Sequence, residues 1–176
     1  MLLTVNQLEE ISPYTHFKRL ELILPNLNAT LEKYDIRSNL RISHFLTQLV
    51  IESSHFRYIQ EPGTGKLYEN STELGNNKLG DGRRFISRGY IKILGRGEYE
   101  EYKKFSNIDV VGYPHFVTTP KVAMDISGWI WNKKLLNTLA DQDSLKEVTR
   151  VLTGDYINLR ERTDTLLRTK RALGLI

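Results

Sequence analysis

The chain has no cysteine, and its 176 residues include only two methionines, two tryptophans, four histidines and five prolines. Without thiols neither a disulfide framework nor a thiolate metal site can form, so packing alone must hold the fold in any redox environment. The histidines, His16, His44, His55 and His115, stand apart without the short spacing of a metal-binding pair, and no metal is expected. No glycine-rich phosphate loop opens a helix, and no cofactor is expected. There is no run of five like charges, no helix-turn-helix pattern and no aromatic stacking signature, which argues against nucleic acid. No stretch approaches the roughly 20 apolar residues of a membrane span. Residues 1–7 lack the basic leader and apolar core of a signal peptide, so the expected site of synthesis is the cytoplasm.

What remains is a polar chain with a modest basic excess. Lys and Arg total 25 against 21 Asp and Glu, a net charge of +4, and the pI is near 9.2. Such a balance suits an anionic partner through screened attraction. The length fits a single domain over residues 1–176, expected to be a monomer, able to bury about 70% of its unfolded surface.

Helical signals dominate. Thr4 and Gln7 form a capping-box pattern. Phe17, Leu20, Leu22, Ile23, Leu24, Leu27 and Leu31 support a second helix, interrupted or bent near Pro25. Leu40, Ile42, Phe45, Leu46, Leu49 and Val50 recur at the intervals of one buried face. Thr119-Pro120 opens a helix through Val122, Ile126 and the pair Trp129 and Trp131, which reads as core. Asp143-Ser144 opens the next, Gly154 closes it, and a last helix spans about residues 158–173 with a basic, solvated face. Between residues 61 and 81, Gly63, Gly65, Gly75 and Gly80 interrupt any apolar period, predicting a long mobile loop, with short strands at 85–86 and 90–93.

Two carboxylates draw attention in this frame. Glu52 lies near the end of a strongly amphipathic helix, near the margin of its buried face, where partial desolvation would favour its protonated form. Glu61 follows nine residues later, before Pro62-Gly63. A proton-donating carboxyl facing an ionised one across a gap wide enough for water is the layout that hydrolyses a glycosidic bond with inversion. Glu69 and Glu73 could replace Glu61 as base if the loop folds back. Tyr58, Tyr68 and Phe56 are candidates to line a groove, with core packing the rival for Phe56.

Three blocks, in order and with consistent spacing, resemble glycoside hydrolase family 19 in the compact form of bacterial chitinases and phage endolysins. The first covers residues 45–58 and contains Glu52-Ser53-Ser54-His55-Phe56. The second runs from Leu67-Tyr68-Glu69-Asn70 to Gly80-Asp81-Gly82-Arg83-Arg84-Phe85. The third is Arg88-Gly89-Tyr90-Ile91-Lys92-Ile93-Leu94-Gly95-Arg96. The resemblance implies a mainly α, lysozyme-like two-lobed domain with a small β element and a substrate groove. It implies Glu52 as general acid and Glu61 as general base, with Arg88, Tyr90, Lys92 and Arg162 contacting substrate or tuning the carboxylates. It also implies an endo-acting hydrolase of a GlcNAc-containing polymer. Peptidoglycan is favoured over chitin, with delivery to the wall by a holin, a secretion machine or lysis, and an immunity protein as a further possible partner.

Several positions depart from the family. Ile51 stands for the usual His, Lys92 for a sugar-binding Gln, Leu94 for a Thr or Ser that holds the attacking water, Glu98 for an Asn, and Thr153 begins the stretch usually Asn-Gly-Gly. Losing one positioning contact costs about a hundredfold in rate. These departures keep a second expectation open, a glycan-binding protein that retained the groove and lost the rate.

Overall fold

The computed structural model describes residues 2–176, which fold into nine α-helices with two short 3-10 turns. At its centre is α3 (Asn39–Glu52), which Ser38 caps by accepting from the Arg41 amide at 3.2 Å. Ile42, Phe45, Leu46, Leu49 and Val50 are buried, and so are Ser43, His44, Thr47 and Gln48. A helix buried on all sides needs partners for its polar groups. Ser43 and Thr47 donate to carbonyls of the preceding turn, at 2.7 Å each, and His44 bonds the Asp143 carboxylate at 2.8 Å.

Around α3 pack α7 (Leu136–Asp141), α8 (Leu145–Thr153) and α9 (Leu159–Ala172). On the outside, α1 (Val5–Ile11) lies against α9 and α2 (Phe17–Lys33), while α2 lies against α6 (Pro120–Lys133). The remaining segment carries α4 (Asp81–Arg84) and α5 (Gly95–Ser106) and forms the smaller lobe. This is the expected mainly α, lysozyme-like architecture.

The capping box at Thr4 and Gln7 forms, Ser144 and Gly154 bound α8, and Trp129 and Trp131 lie in the core. Four expectations need correction. First, α2 runs through Pro25 without interruption: Pro25 is exposed, so the Glu21 carbonyl deprived of an N–H partner can be hydrated. Second, the strands at 85–86 and 90–93 do not form. Phe85 ends α4, and Gly89 turns the chain at φ 114°, leaving two isolated antiparallel bridges, Gln60 with Arg88 and Arg88 with Ile93. A Cβ at Gly89 would stand 2.6 Å from the Ile91 carbonyl oxygen, so only glycine closes this turn. Third, Phe56 is core and not groove lining. Fourth, Tyr90 is core too: only 2% exposed, its ring packs edge to face on Phe56 at 5.7 Å.

Trp131 joins α6 to α3 through an edge-to-face contact with Phe45 at 5.2 Å, and its indole N–H donates to Asn137 at 2.8 Å. Trp131→Ala should cost about 3–5 kcal/mol, measurable as a lower denaturant midpoint at unchanged slope. Burial pushes the His44 imidazole below its ordinary value, and the neighbouring Asp143 only partly offsets this, with Lys170 adding to the fall. A depressed folded value means stability that is complete above the unfolded value of about 6.5 and lost as pH falls through the folded one. His44→Gln should therefore flatten the decline in unfolding free energy between about pH 7 and pH 5.

Candidate active site

The site begins where α3 stops. Glu52 is its last residue, and Ser53 caps it, donating to the Leu49 carbonyl at 2.6 Å and accepting from the Phe56 amide at 2.8 Å. Ser54, His55 and Phe56 then all take positive φ, at 49°, 60° and 60°. Three successive non-glycine residues in the left-handed region are costly and persist only where surroundings hold them. Here Thr15 donates to the His55 carbonyl at 2.8 Å, and Arg19 to the Phe56 carbonyl at 2.7 Å. The reversal returns the chain along residues 59–61, where the Glu61 amide donates to the Ser87 carbonyl at 3.0 Å.

Each carboxylate is held by its own partners. Arg162, reaching in from α9, is fully buried and donates from Nη2 to Glu52 at 2.5 Å. The same guanidinium donates from Nη1 to Gln48, one turn before Glu52, and from Nε to the Ile157 carbonyl at 3.1 Å. Glu61 accepts from the Tyr68 hydroxyl at 2.9 Å and from the Ser87 amide at 3.2 Å. Burial, then the Glu61 carboxylate, push the Tyr68 phenol up, so it stays a donor across the neutral range. Between the two acids lies Lys92, whose ammonium donates to the Glu52 main-chain carbonyl. Desolvation lowers the Lys92 pKa, while Glu52 and Glu61 both pull it back up. Both carboxylates therefore act on one half-buried cation.

The expectation of a mobile loop also needs correction. Asn76, fully buried, donates to the Tyr68 carbonyl and accepts from the Arg96 amide, both at 2.8 Å. The Asp81 carboxylate takes two bonds from Arg96, at 2.5 and 2.8 Å. Glu69 accepts from the amides of Gly80 and Gly82 at 2.6 and 2.9 Å, which ties this carboxylate to the start of α4. Glu73 is exposed. A cavity of about 260 Å³ opens beside Glu61, walled by Gly63, Lys66 and Tyr68.

Of the other proposed contacts, Tyr58 is free at 59% exposure, whereas Arg88 is committed to Gln60, the Arg84 carbonyl and Tyr99. Leu94 is half-buried, and Glu98 accepts from its amide at 2.7 Å, holding the start of α5. Burial pushes the Glu98 carboxyl up, against the Leu94 amide and the lysines 133 and 134. Sequence reasoning overlooked Gln48 and Ser87. A glutamine four residues before Glu52 on a buried face was the available signal for the first, and a backbone amide leaves none for the second. No group of three or more His, Cys, Asp or Glu side chains is placed to hold a metal among the described residues.

The fold is the lysozyme-like fold of family 19 chitinases, and the resemblance of the chain to glycoside hydrolase family 19 holds in sequence and in structure. A glycosyl hydrolase family 19 domain-containing protein of Haemophilus influenzae is 26% identical over 168 residues, covering 77% of this chain and 82% of that protein. Chitinase C from Streptomyces griseus superposes with a TM-score of 0.77 at 18% identity, covering 98% of this chain and 93% of that one. A bacterial family 19 chitinase reaches a TM-score of 0.81 at 16% identity, covering 99% and 96%. No family model matches the chain.

Breaking a buried ion pair from one side leaves an uncompensated charge. Arg162→Met should destabilise the protein by about 3 kcal/mol, toward the lower end of the usual range, because Glu52 keeps 26% of its side-chain surface in water. Thermal unfolding of the variant beside Glu52→Gln/Arg162→Met checks this, since removing both charges should restore part of the loss.

Proposed function

We propose that the chain is an endo-acting glycoside hydrolase that cleaves bacterial peptidoglycan with inversion of configuration. The observation that carries this reading is the pair of separately anchored carboxylates, Glu52 on Arg162 and Glu61 on Tyr68 and Ser87, with the Lys92 ammonium bonded to the end of the helix that carries Glu52. In the proposed reaction Glu52, ionised in its pair with Arg162 at rest, takes up a proton from solvent and gives it to the glycosidic oxygen as the bond to the anomeric carbon breaks. Glu61 takes a proton from a water that attacks that carbon from the opposite face. Tyr68 and the Ser87 amide keep the base aimed while it is ionised.

Lys92 favours peptidoglycan over chitin. Chitin is neutral, whereas peptidoglycan carries lactyl and stem-peptide carboxylates that an ammonium in the groove would attract. Arrival at the wall after delivery, and restraint by an immunity protein in the producing cell, belong to this proposal. Chitin is the alternative substrate, supported by the chitinases that share the fold. A binding protein without turnover is the second reading, and Leu94 favours it, because a hydrocarbon side chain cannot hold the attacking water.

Glu52→Gln should reduce release of soluble fragments from purified peptidoglycan by roughly a thousandfold. Mass analysis of the released ends identifies the bond cut. Lys92→Gln should lower release from peptidoglycan about tenfold more than it lowers cleavage of chitin oligomers, any shared loss reporting its contact with the end of α3. If the wild type releases nothing from either polymer yet sediments with sacculi, the hydrolase reading fails and the binding protein remains.

A further inference from the structure

Away from the carboxylate pair, a cavity of about 570 Å³ is bounded by Lys78, Arg83, Arg84 and Arg88, with Arg96 and Asp81 in its wall. That volume lies within the range of small-ligand sites. Arg96 and Asp81 neutralise each other at 2.5 Å. None of Lys78, Arg83, Arg84 and Arg88 is in an ion pair among the described residues. Four cations without counterions thus share one concavity, as many as the net charge of the whole chain, +4.

Two of the four are preorganised. Arg84 is held by the carbonyls of Val111 and Gly112, at 3.0 and 2.9 Å from Nη2, and its Nη1 has no partner. Arg88 is fixed through Nε on Gln60 at 2.7 Å and Nη1 on Tyr99 at 2.9 Å, and its Nη2 has none. Carbonyl, amide and hydroxyl oxygens orient these guanidiniums without cancelling their charge. Lys78 and Arg83 are exposed, with no side-chain bond. At the rim, His115 lies edge-on to Phe116 at 4.8 Å, and Phe116 stacks on the exposed Tyr113 at 5.4 Å. Aromatic faces beside fixed cations suit a ligand that is at once a sugar and an anion. Gln60, which holds Arg88, immediately precedes Glu61, so one chain segment joins the pocket to the proposed active site.

We propose that this pocket is a second binding site, for carboxylate or phosphate groups carried by a wall glycan. The identity of the glycan rests on the peptidoglycan reading of the cleft; the preference for an anion does not. The test is cosedimentation of Glu52→Gln protein with purified sacculi across a salt series. Lys78→Glu with Arg83→Glu should weaken binding about tenfold and flatten its salt dependence. Lys104→Glu with Lys121→Glu, the same charge change at exposed sites outside the pocket, should stay within about twofold. Because all four side chains are exposed and without bonds, both doubles should unfold at the temperature of the Glu52→Gln parent. Loss of binding after amidase removal of stem peptides assigns the anion to their carboxylates, and loss after acid stripping of phosphate polymers assigns it to phosphodiesters. Equal weakening in the two doubles, indifference to both treatments, or pocket-dependent displacement by duplex DNA would overturn the proposal. Fragment release by the wild type, assayed separately, distinguishes its failure from that of the hydrolase reading: pocket-dependent binding without release keeps the site and removes the enzyme.

Discussion

One buried guanidinium sets the terms for the rest of the molecule. Arg162 lies wholly inside, and its three donor positions reach Glu52, Gln48 and the Ile157 carbonyl, tying α9 to the last turn of α3 and to the approach to α9 itself. A cation in that position is tolerable only with full satisfaction. This is why Gln48 is neutral, buried and oriented, also reaching Thr149 of α8, and why Glu52 is fixed in direction before any ligand arrives. The proposed acid is thus a by-product of how the core solves its charge balance.

Glu61 is fixed by a different logic. Its support is mostly backbone, with the Tyr68 hydroxyl as the side-chain partner: the reversal at residues 54–56, the Ser87 main chain and the turn at Gly89 that lets Arg88 bridge both Gln60 and Ile93. The two acids therefore belong to separately stabilised structures, and Lys92 spans the interval by bonding the end of α3 from the segment that also carries Arg88.

Much of this was legible in the sequence, for identifiable reasons. The apolar period of α3, the caps at Thr4 and Ser144 and the glycine after α8 each express a local rule, and local rules survive folding. The order of three short blocks is what singled out Glu52 and Glu61 as the proposed acids. Where the reading failed, a nonlocal partner decided the outcome. Residues 61–81 look mobile because their restraints, Arg96 and the Gly82 amide, lie outside the window. Tyr90 looks like a groove residue until Phe56, thirty-four positions earlier, claims its ring. Both α5 and α7 went unread: α7 is only six residues long, and in α5 the buried positions Gly95, Tyr99 and Tyr102 carry no aliphatic side chain to mark their helical spacing.

The pinning of residues 61–82 has a bearing on resistance to proteolysis. A protease needs several consecutive residues drawn out straight into its own groove before it can cut. Lys66, Lys78 and Arg83 offer basic cleavage points on the surface, yet Glu69, Asn76 and Asp81 tether the chain within three residues of each of them. Digestion at these points must await local unfolding, so the exposed wall of the groove should last nearly as long as the core in a proteolytic medium.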